Sequence, residues 1–193
     1  MISPKNYLLI AVGLVHSGLA QTCPAELTVT NGGFECGLSP WYVPAPQPGQ
    51  PKMTIASPGY GSYHALRLDV AESNFTDFSL VHPPIGLQCE GYYYKVSYAV
   101  NWDTYSGPQS TDTMGCKIRA QSSYCFGDIV GTDQVYAVPG VGWKTYSYTC
   151  LAKKTGQGTY TVDFDCFGNA TYKVPAFKFE VDALNIKLLG TSP

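Results

Sequence analysis

Alternation of large apolar with smaller or polar side chains is clearest between Tyr92 and Val100. One face of that segment, read as an extended chain, carries Tyr92, Tyr94, Val96, Tyr98 and Val100. A repeat of two residues indicates a β-strand with one buried face. The same repeat returns between Thr161 and Cys166. Because 20 glycines and 14 prolines break the chain into short stretches, the pattern predicts an all-β, antiparallel sandwich of about ten strands.

The first twenty residues are predicted to be a signal peptide. They hold one lysine, Lys5, then an apolar run from Tyr7 to Val15 and small residues up to Ala20. The apolar run is too short to span a bilayer as a helix, and no second run follows it. The sequence therefore predicts a secreted protein, extracellular or associated with a cell wall, with a single β-sandwich domain at residues 21–193 and no membrane insertion.

The charge balance disfavours nucleic acid as a partner. Removing Lys5 lowers the basic count from 12 to 11 against 14 acidic side chains, so the mature chain has a net charge of −3. The basic residues form neither a block nor a stripe, which a nucleic-acid-binding surface would need.

All seven cysteines follow the predicted cleavage point, so an oxidising compartment makes disulfides the expected state. Zinc is disfavoured because no C-x-x-C motif occurs and both mature histidines, His64 and His82, are distant in sequence from any cysteine pair. Two sequons, at Asn74 and Asn169, predict surface glycosylation on a secretory route.

The sequence lacks the common catalytic motifs. It has neither a G-x-S-x-G elbow nor an H-E-x-x-H helix. A small glycan hydrolase would need two carboxylates, and Asp163 with Asp165 is the available pair. Alternate acids on an outward strand face are normally solvated, however. His82 precedes two prolines in an expected loop, so a structural role is expected for it, and the chain is predicted not to be an enzyme.

Two strings near the ends of the mature chain join a carboxylate to strand-forming residues, namely residues 31–35 and 179–186. A sandwich that brings its ends together would set Glu35 near Asp182, and two acids there favour a hard cation such as calcium. Gly33 could turn a carbonyl toward the ion without steric penalty. Asp182 would share a strand face with apolar Leu184 and Ile186, so it must be neutralised or lie at the end of the sheet.

These strings resemble the ends of the CenC-type carbohydrate-binding module, a galactose-binding-like jelly-roll. The first string matches the family pattern N-x-G-F-E-x-G-x-x-x-W through Gly37 and Trp41, and the second matches a closing strand like F-x-V-D-D-V-x-L except at Ala183. The resemblance implies a non-catalytic module that binds a polysaccharide or glycan, with a structural calcium between Glu35 and Asp182. A standalone exported module of this kind is most similar to fungal secreted proteins.

The resemblance also implies a disulfide between a middle and a late strand, which is Cys116 with Cys166. For the remaining cysteines the expected pairs are Cys125 with Cys150 and Cys36 with Cys89. Cys23 is then the expected odd thiol.

Sugars stack on aromatic rings and bond to planar polar groups, so exposed loop aromatics are the candidate ligand residues. Trp102, Asp103 and Tyr105 form the preferred site because they begin a long loop, and Tyr124 and Tyr60 are further candidates. The alternative functions are a secreted structural or protein-interaction, effector-like sandwich and the small hydrolase.

Overall fold

The chain forms two antiparallel β-sheets packed face to face. The computed structural model describes residues 23, 26–44, 50–108, 114–125, 129–130, 135–169 and 171–193. The predicted signal peptide and its cleavage point lie outside these residues. The strands are β1 (Lys52–Ala56), β2 (Ala65–Val70), β3 (Phe75–Gln88), β4 (Tyr93–Asn101), β5 (Gly115–Ser122), β6 (Ile129–Val130), β7 (Val135–Tyr136), β8 (Trp143–Leu151), β9 (Gly156–Phe167) and β10 (Phe177–Gly190).

One sheet has six strands in the order β1-β2-β10-β4-β8-β6, and the other has four in the order β3-β9-β5-β7. The expected all-β jelly-roll sandwich is confirmed. Within the described residues no helix is long and apolar enough to cross a membrane.

The core lies between the sheets and follows the alternation of each strand. In β4 the inward side chains Tyr94, Val96, Tyr98 and Val100 are at most 1% exposed. They face the inward residues of β9 and β5, including Phe164 and Ile118, which are 0% exposed. Burial of these aromatic and branched side chains is the main stabilising contribution to a fold of this kind.

Strand β3 runs through a segment that the sequence predicted to be a loop. His82 is 3% exposed and pairs with Tyr160 of β9, so the loop expectation at His82 is wrong. The prolines that follow it are tolerated because β3 is the edge strand of its sheet. A register shift between His82 and Gly86 accommodates them.

Strand β10 changes phase in its middle. Ala183 has a φ of +53°, and the pairing with β4 shifts register between Asp182 and Asn185. This bulge adds one residue, so Val181 and Leu184 both face the core while Asp182 faces outward with Glu180. The expectation that Asp182 shares a face with Leu184 and Ile186 is therefore wrong.

Three disulfides close the fold. Cys116 is bonded to Cys166 and Cys125 to Cys150, in agreement with the expected pairs. The expected Cys36–Cys89 pair is wrong, because Cys89 is bonded to Cys23. The N-terminal segment runs beside the end of β3, where the Thr28 amide donates to the Ile85 carbonyl, and this brings Cys23 to Cys89. Cys36, in a turn at the other end of that segment, is exposed and free.

Candidate functional site

Asp182 anchors the loop between β1 and β2. Its side chain is 0% exposed, and Oδ2 accepts hydrogen bonds from the Tyr60 amide and the Ser62 hydroxyl, both at 2.6 Å. Oδ1 accepts from the Ala183 amide at 2.6 Å. Gly59 approaches so closely that a Cβ there would collide with Asp182 Oδ2. Residues 59–64, named here the tyrosine loop, are therefore held onto the outer face of the six-stranded sheet.

Glu35 holds the other end of the tyrosine loop. Its Oε1 accepts from the amides of Tyr63 and His64 at 3.0 Å, and its Oε2 lies 3.1 Å from His64 Nδ1. A Cβ on Gly33 would lie 3.5 Å from Asp182 Oδ1 and 3.9 Å from Glu35 Cγ. The three residues predicted to bind a metal are thus neighbours, as the end-to-end pairing required.

The pKa values of the two carboxyl groups are shifted in opposite directions. Burial raises the pKa of Asp182 above its usual 3.8, and the charge of Glu35 adds to the increase, against the hydrogen bonds from Ser62, Ala183 and Tyr60. The His64 amide is the main cause of a lowered pKa at Glu35, supported by the His64 side chain and the Tyr63 amide. Glu35 is therefore the readily ionised member of the pair, and Asp182 is the one that burial disfavours as an anion.

The residues fit a calcium ion in part. Two carboxylates adjoin a glycine backbone, which is the oxygen-rich type of surrounding that calcium takes. Each carboxylate also accepts hydrogen bonds from the tyrosine loop. Across the described ranges no three His, Cys, Asp or Glu side chains form a group that could hold a metal. Any ion here would need backbone carbonyls to complete its ligands.

Trp102 and Tyr105, the preferred ligand residues, are core residues. Trp102 is 1% exposed and Tyr105 is 3% exposed. The Trp102 ring stacks on Phe179 at 5.1 Å, and Tyr105 meets the edge of Phe177 at 5.0 Å. The prediction that these rings bind a ligand is wrong, because both are buried by the two sheets.

The other predicted ligand residues are scattered over the molecule. Asp103 accepts a 2.7 Å hydrogen bond from Arg67. Tyr124 packs over Gly156 at the start of β9, whereas Trp102 contacts Phe164 eight positions further along that strand. Tyr60 is 42% exposed in the tyrosine loop and lies 6.0 Å from Trp143 between ring centroids. The structure does not bring these five residues together as one site.

A different cluster lies on the outward side of the four-stranded sheet. Asp163 of β9 accepts hydrogen bonds from Ser79 of β3 at 2.7 Å and from Gln121 of β5, with Arg119 at 3.4 Å. Asp165, two residues on, lies 4.0 Å from Lys117. Burial raises the pKa of Asp165, while Lys117 opposes that increase. This outward surface of β3, β9 and β5 is called the polar face below.

Aromatic rings border the polar face. At one end Phe75, which is 63% exposed, pairs with Phe167, whose ring lies 5.5 Å from Lys117 Nζ. At the other end Tyr42, 48% exposed, pairs with Val81 at the edge of β3. Tyr136 of β7 pairs with Lys117 and so faces outward beside it. The face combines planar charged and amide groups with rings at its margins.

Arg119 and Gln121 were not among the predicted binding residues, although the sequence shows the alternation that turns them outward. In the segment around them Cys116, Ile118 and Ala120 alternate with polar residues. That alternation identifies the outward set, but the partner strand that supplies Asp163 is more than forty residues away in sequence. Only the β5–β9 pairing joins them.

The two sequons lie side by side. Asn74 and Asn169 are exposed, and the Gly168 amide donates to the Asn74 carbonyl at 2.7 Å. The side-chain oxygen of Asn169 accepts from both the amide and the hydroxyl of Thr171 at 2.9 Å. Both sequons are at the Phe75 end of the polar face, and their glycosylation stays a prediction.

No family model matches the chain, and no curated protein matches it. Among solved structures, TmCBM61 in complex with β-1,4-galactotriose has a TM-score of 0.58 at 20% identity, over 85% of this chain and 99% of that one. The Stig cyclase Fisc from Fischerella sp. TAU has a TM-score of 0.55 at 9% identity, over 87% of this chain and 99% of that one.

The CBM22-1–CBM22-2 tandem of Paenibacillus barcinonensis Xyn10C has a TM-score of 0.53 at 13% identity. The match covers 89% of this chain and 51% of the tandem, so the chain spans about half of that structure. These likenesses show the fold alone. They define the chain as a jelly-roll β-sandwich of the kind that carbohydrate-binding modules adopt.

Proposed function

We propose that this protein is a secreted, non-catalytic module that binds a polysaccharide or glycan on its polar face. The observation that carries the proposal is the linked row in which Asp163 accepts hydrogen bonds from Ser79 and Gln121 beside Arg119. Side chains that are already fixed by one another present donors and acceptors to a ligand with little further loss of entropy.

The composition of the face suits a sugar. Hydroxyl groups bond well to guanidinium, amide and carboxylate groups, and the apolar faces of sugar rings stack on aromatic side chains. Arg119, Gln121 and Asp165 supply the polar groups, while Phe167 and Tyr42 lie at opposite ends. A long, open, half-polar surface is better suited to a stretch of polysaccharide than to a small molecule in a closed pocket.

The likeness to TmCBM61 supports the same proposal and selects the first probe. That protein was solved with β-1,4-galactotriose, so β-1,4-galactan heads a panel of insoluble and soluble polysaccharides. A secreted location belongs to the proposal too, and three disulfides support it.

The test compares retention on that panel for the wild type and matched variants. Arg119→Ala combined with Gln121→Ala is expected to weaken binding about tenfold or more, because two planar partners of the sugar are lost. Tyr63→Ala is the control, since Tyr63 is 80% exposed but lies on the tyrosine loop of the other sheet. Melting temperatures of all variants show whether the fold is retained.

Contrary results are well defined. Retention on no glycan would remove the proposal and favour the protein-interaction alternative. If Tyr63→Ala weakens glycan binding about tenfold while the Arg119 and Gln121 variant binds like the wild type, the site moves to the tyrosine loop. Release of reducing sugar from a bound polysaccharide, abolished by Asp163→Asn, would favour the hydrolase alternative.

A structural calcium ion at Glu35, Asp182 and Gly33 is a second part of the proposal. The adjacency of the two acids around Gly33 supports it, and such an ion would stabilise the junction between the N-terminal segment and β10. Melting with excess calcium and with a chelator tests the ion. A higher melting temperature in calcium that is lost in Glu35→Gln is expected, and equal melting temperatures would refute it.

A further inference from the structure

The outer face of the six-stranded sheet carries a groove, on the side of the sandwich opposite the polar face. Its volume is roughly 350 Å³, close to the lower end of the 300–1,000 Å³ typical of ligand clefts. β4, β8 and β10 supply its lining, which includes Lys95, Ser97, Thr145, Ser147, Asn185 and Lys187.

Two lysines stand together at one end of this groove. Lys95 of β4 pairs directly with Lys187 of β10, so their side chains project from the same face as cross-strand neighbours. Like charges in directly opposed positions are destabilising. Within the described residues neither lysine takes part in an ion pair, although Arg67, Lys117, Arg119, Lys173 and Lys178 all do.

Small polar side chains form the floor of the groove. Ser97 pairs with Asn185 on one side and with Ser147 on the other, which makes a continuous row of two hydroxyls and an amide across three strands. Small side chains leave room above the sheet, and each can donate and accept a hydrogen bond. Such a row suits a ligand with several hydroxyl groups better than a bare inorganic anion.

Aromatic rings close the other end of the same face. Trp143 pairs with Asn101 at the end of β4, and its ring lies 6.0 Å from that of Tyr60. Asn101 lies six positions along β4 from Lys95, a distance of about 20 Å. The face thus offers a cationic end, a hydroxyl-rich middle and an aromatic end in one line.

We infer that this groove binds an acidic saccharide, with a carboxylate of a uronic acid residue between Lys95 and Lys187. Charge complementarity selects the anion, because Lys95 and Lys187 are cross-strand neighbours that form no ion pair with a described residue. The nearby acid, Glu26, lines the adjacent groove that Lys187 also borders. The row of Ser97, Ser147 and Asn185 then selects hydroxyl groups. This inference extends the proposed glycan binding to a second, separate site.

Polygalacturonate is the probe, with neutral β-1,4-galactan and polyglutamate beside it. The variant is Lys95→Gln with Lys187→Gln, and the matched control is Lys52→Gln with Lys154→Gln, which removes the same charge from lysines that also lack an ion pair in the described residues. We expect the first pair to weaken polygalacturonate binding about tenfold and the control to change it less than about twofold.

Three results would overturn the inference. They are no binding of polygalacturonate by the wild type, equal loss in both lysine pairs, and polyglutamate binding as strong as polygalacturonate binding, which would indicate an acidic polypeptide. Binding of neutral galactan tests the polar face and not this groove. If galactan binds and polygalacturonate does not, only this inference fails. If the lysine pair weakens polygalacturonate binding, while the Arg119 and Gln121 variant binds every polysaccharide of the panel as the wild type does, this inference stands and the polar face is removed as the glycan site.

Discussion

Ser62→Ala tests whether Asp182 holds the tyrosine loop in place. The Ser62 hydroxyl donates to the buried Oδ2 of Asp182 at 2.6 Å, and the Tyr60 amide is the only other donor to that oxygen among the described residues. The substitution removes this hydrogen bond to a buried carboxylate, together with the 2.9 Å contact of the same hydroxyl with the His64 carbonyl, and leaves the backbone covalently unchanged. It also leaves Gly59 in its close contact with Asp182.

The expected loss follows from the charge on the acceptor. A hydrogen bond to a charged group contributes about 1.5–3 kcal/mol, roughly twice a neutral one. In a chain of 193 residues each kcal/mol lowers the melting temperature by about 2–4 °C, so Ser62→Ala should melt about 3–12 °C lower than the wild type. The loss should be smaller at a pH low enough to protonate Asp182, because the acceptor is then neutral.

The measurement is thermal unfolding at pH 7.5 and again near pH 4, followed by circular dichroism. Ser147→Ala is the control, since Ser147 is an exposed serine on the same sheet and should change stability by less than about 0.5 kcal/mol. If Ser62→Ala lowers stability no more than Ser147→Ala does at both pH values, the Ser62 hydroxyl contributes nothing measurable to holding Asp182. The anchoring role assigned to the Ser62–Asp182 hydrogen bond is then wrong.

Three further predictions follow from the same contacts. Trp102→Ala should lower stability by about 3–5 kcal/mol by opening a cavity against Phe179, yet leave glycan affinity per folded molecule unchanged; lost affinity with unchanged melting would return Trp102 to the binding site. A maleimide added in denaturant without reductant should label one thiol, Cys36, in the wild type, and Cys23→Ser should add a second, the otherwise buried Cys89, whereas no added thiol would contradict the Cys23–Cys89 pair. Because the pKa of Asp182 is raised, the folded state binds its proton more tightly, so this group lowers stability as pH rises from 3.8 through the raised pKa; Asp182→Asn should remove that loss in a urea titration series, and an unchanged profile would refute it.

Much of the strand pattern was available from alternation alone. Seven inward residues of β4 and β9 are in the phase that the sequence predicts, and extending the β4 phase by two residues would have put Trp102 inside. The error came from treating the end of the strand pattern as the end of burial. A side chain just beyond a strand keeps the phase of that strand as long as the chain stays extended.

The cysteine pairs show what local pattern cannot supply. Cys116 and Cys166 are directly opposed in the β5–β9 register, so a correct strand pairing leads to that bond. Cys23 reaches Cys89 only because the N-terminal segment adds to the outer edge of β3, through Thr28 and Ile85 and again through Tyr42 and Val81. That edge contact depends on long-range backbone pairing, which no short sequence window contains.

The candidate sites depend on strand order in the same way. Asp163, Arg119 and Gln121 become neighbours through one pairing, and Lys95 and Lys187 through another. For the end strings, the sequence predicted that Glu35 and Asp182 meet but placed Asp182 on the wrong face of its strand. The bulge at Ala183 decides that point, because it turns Asp182 outward to the tyrosine loop while Leu184 returns to the core. Ala183 stands where the CenC-type pattern has a second Asp, and its amide donates to Asp182, so the departure from the pattern occurs at the residue that forms the bulge.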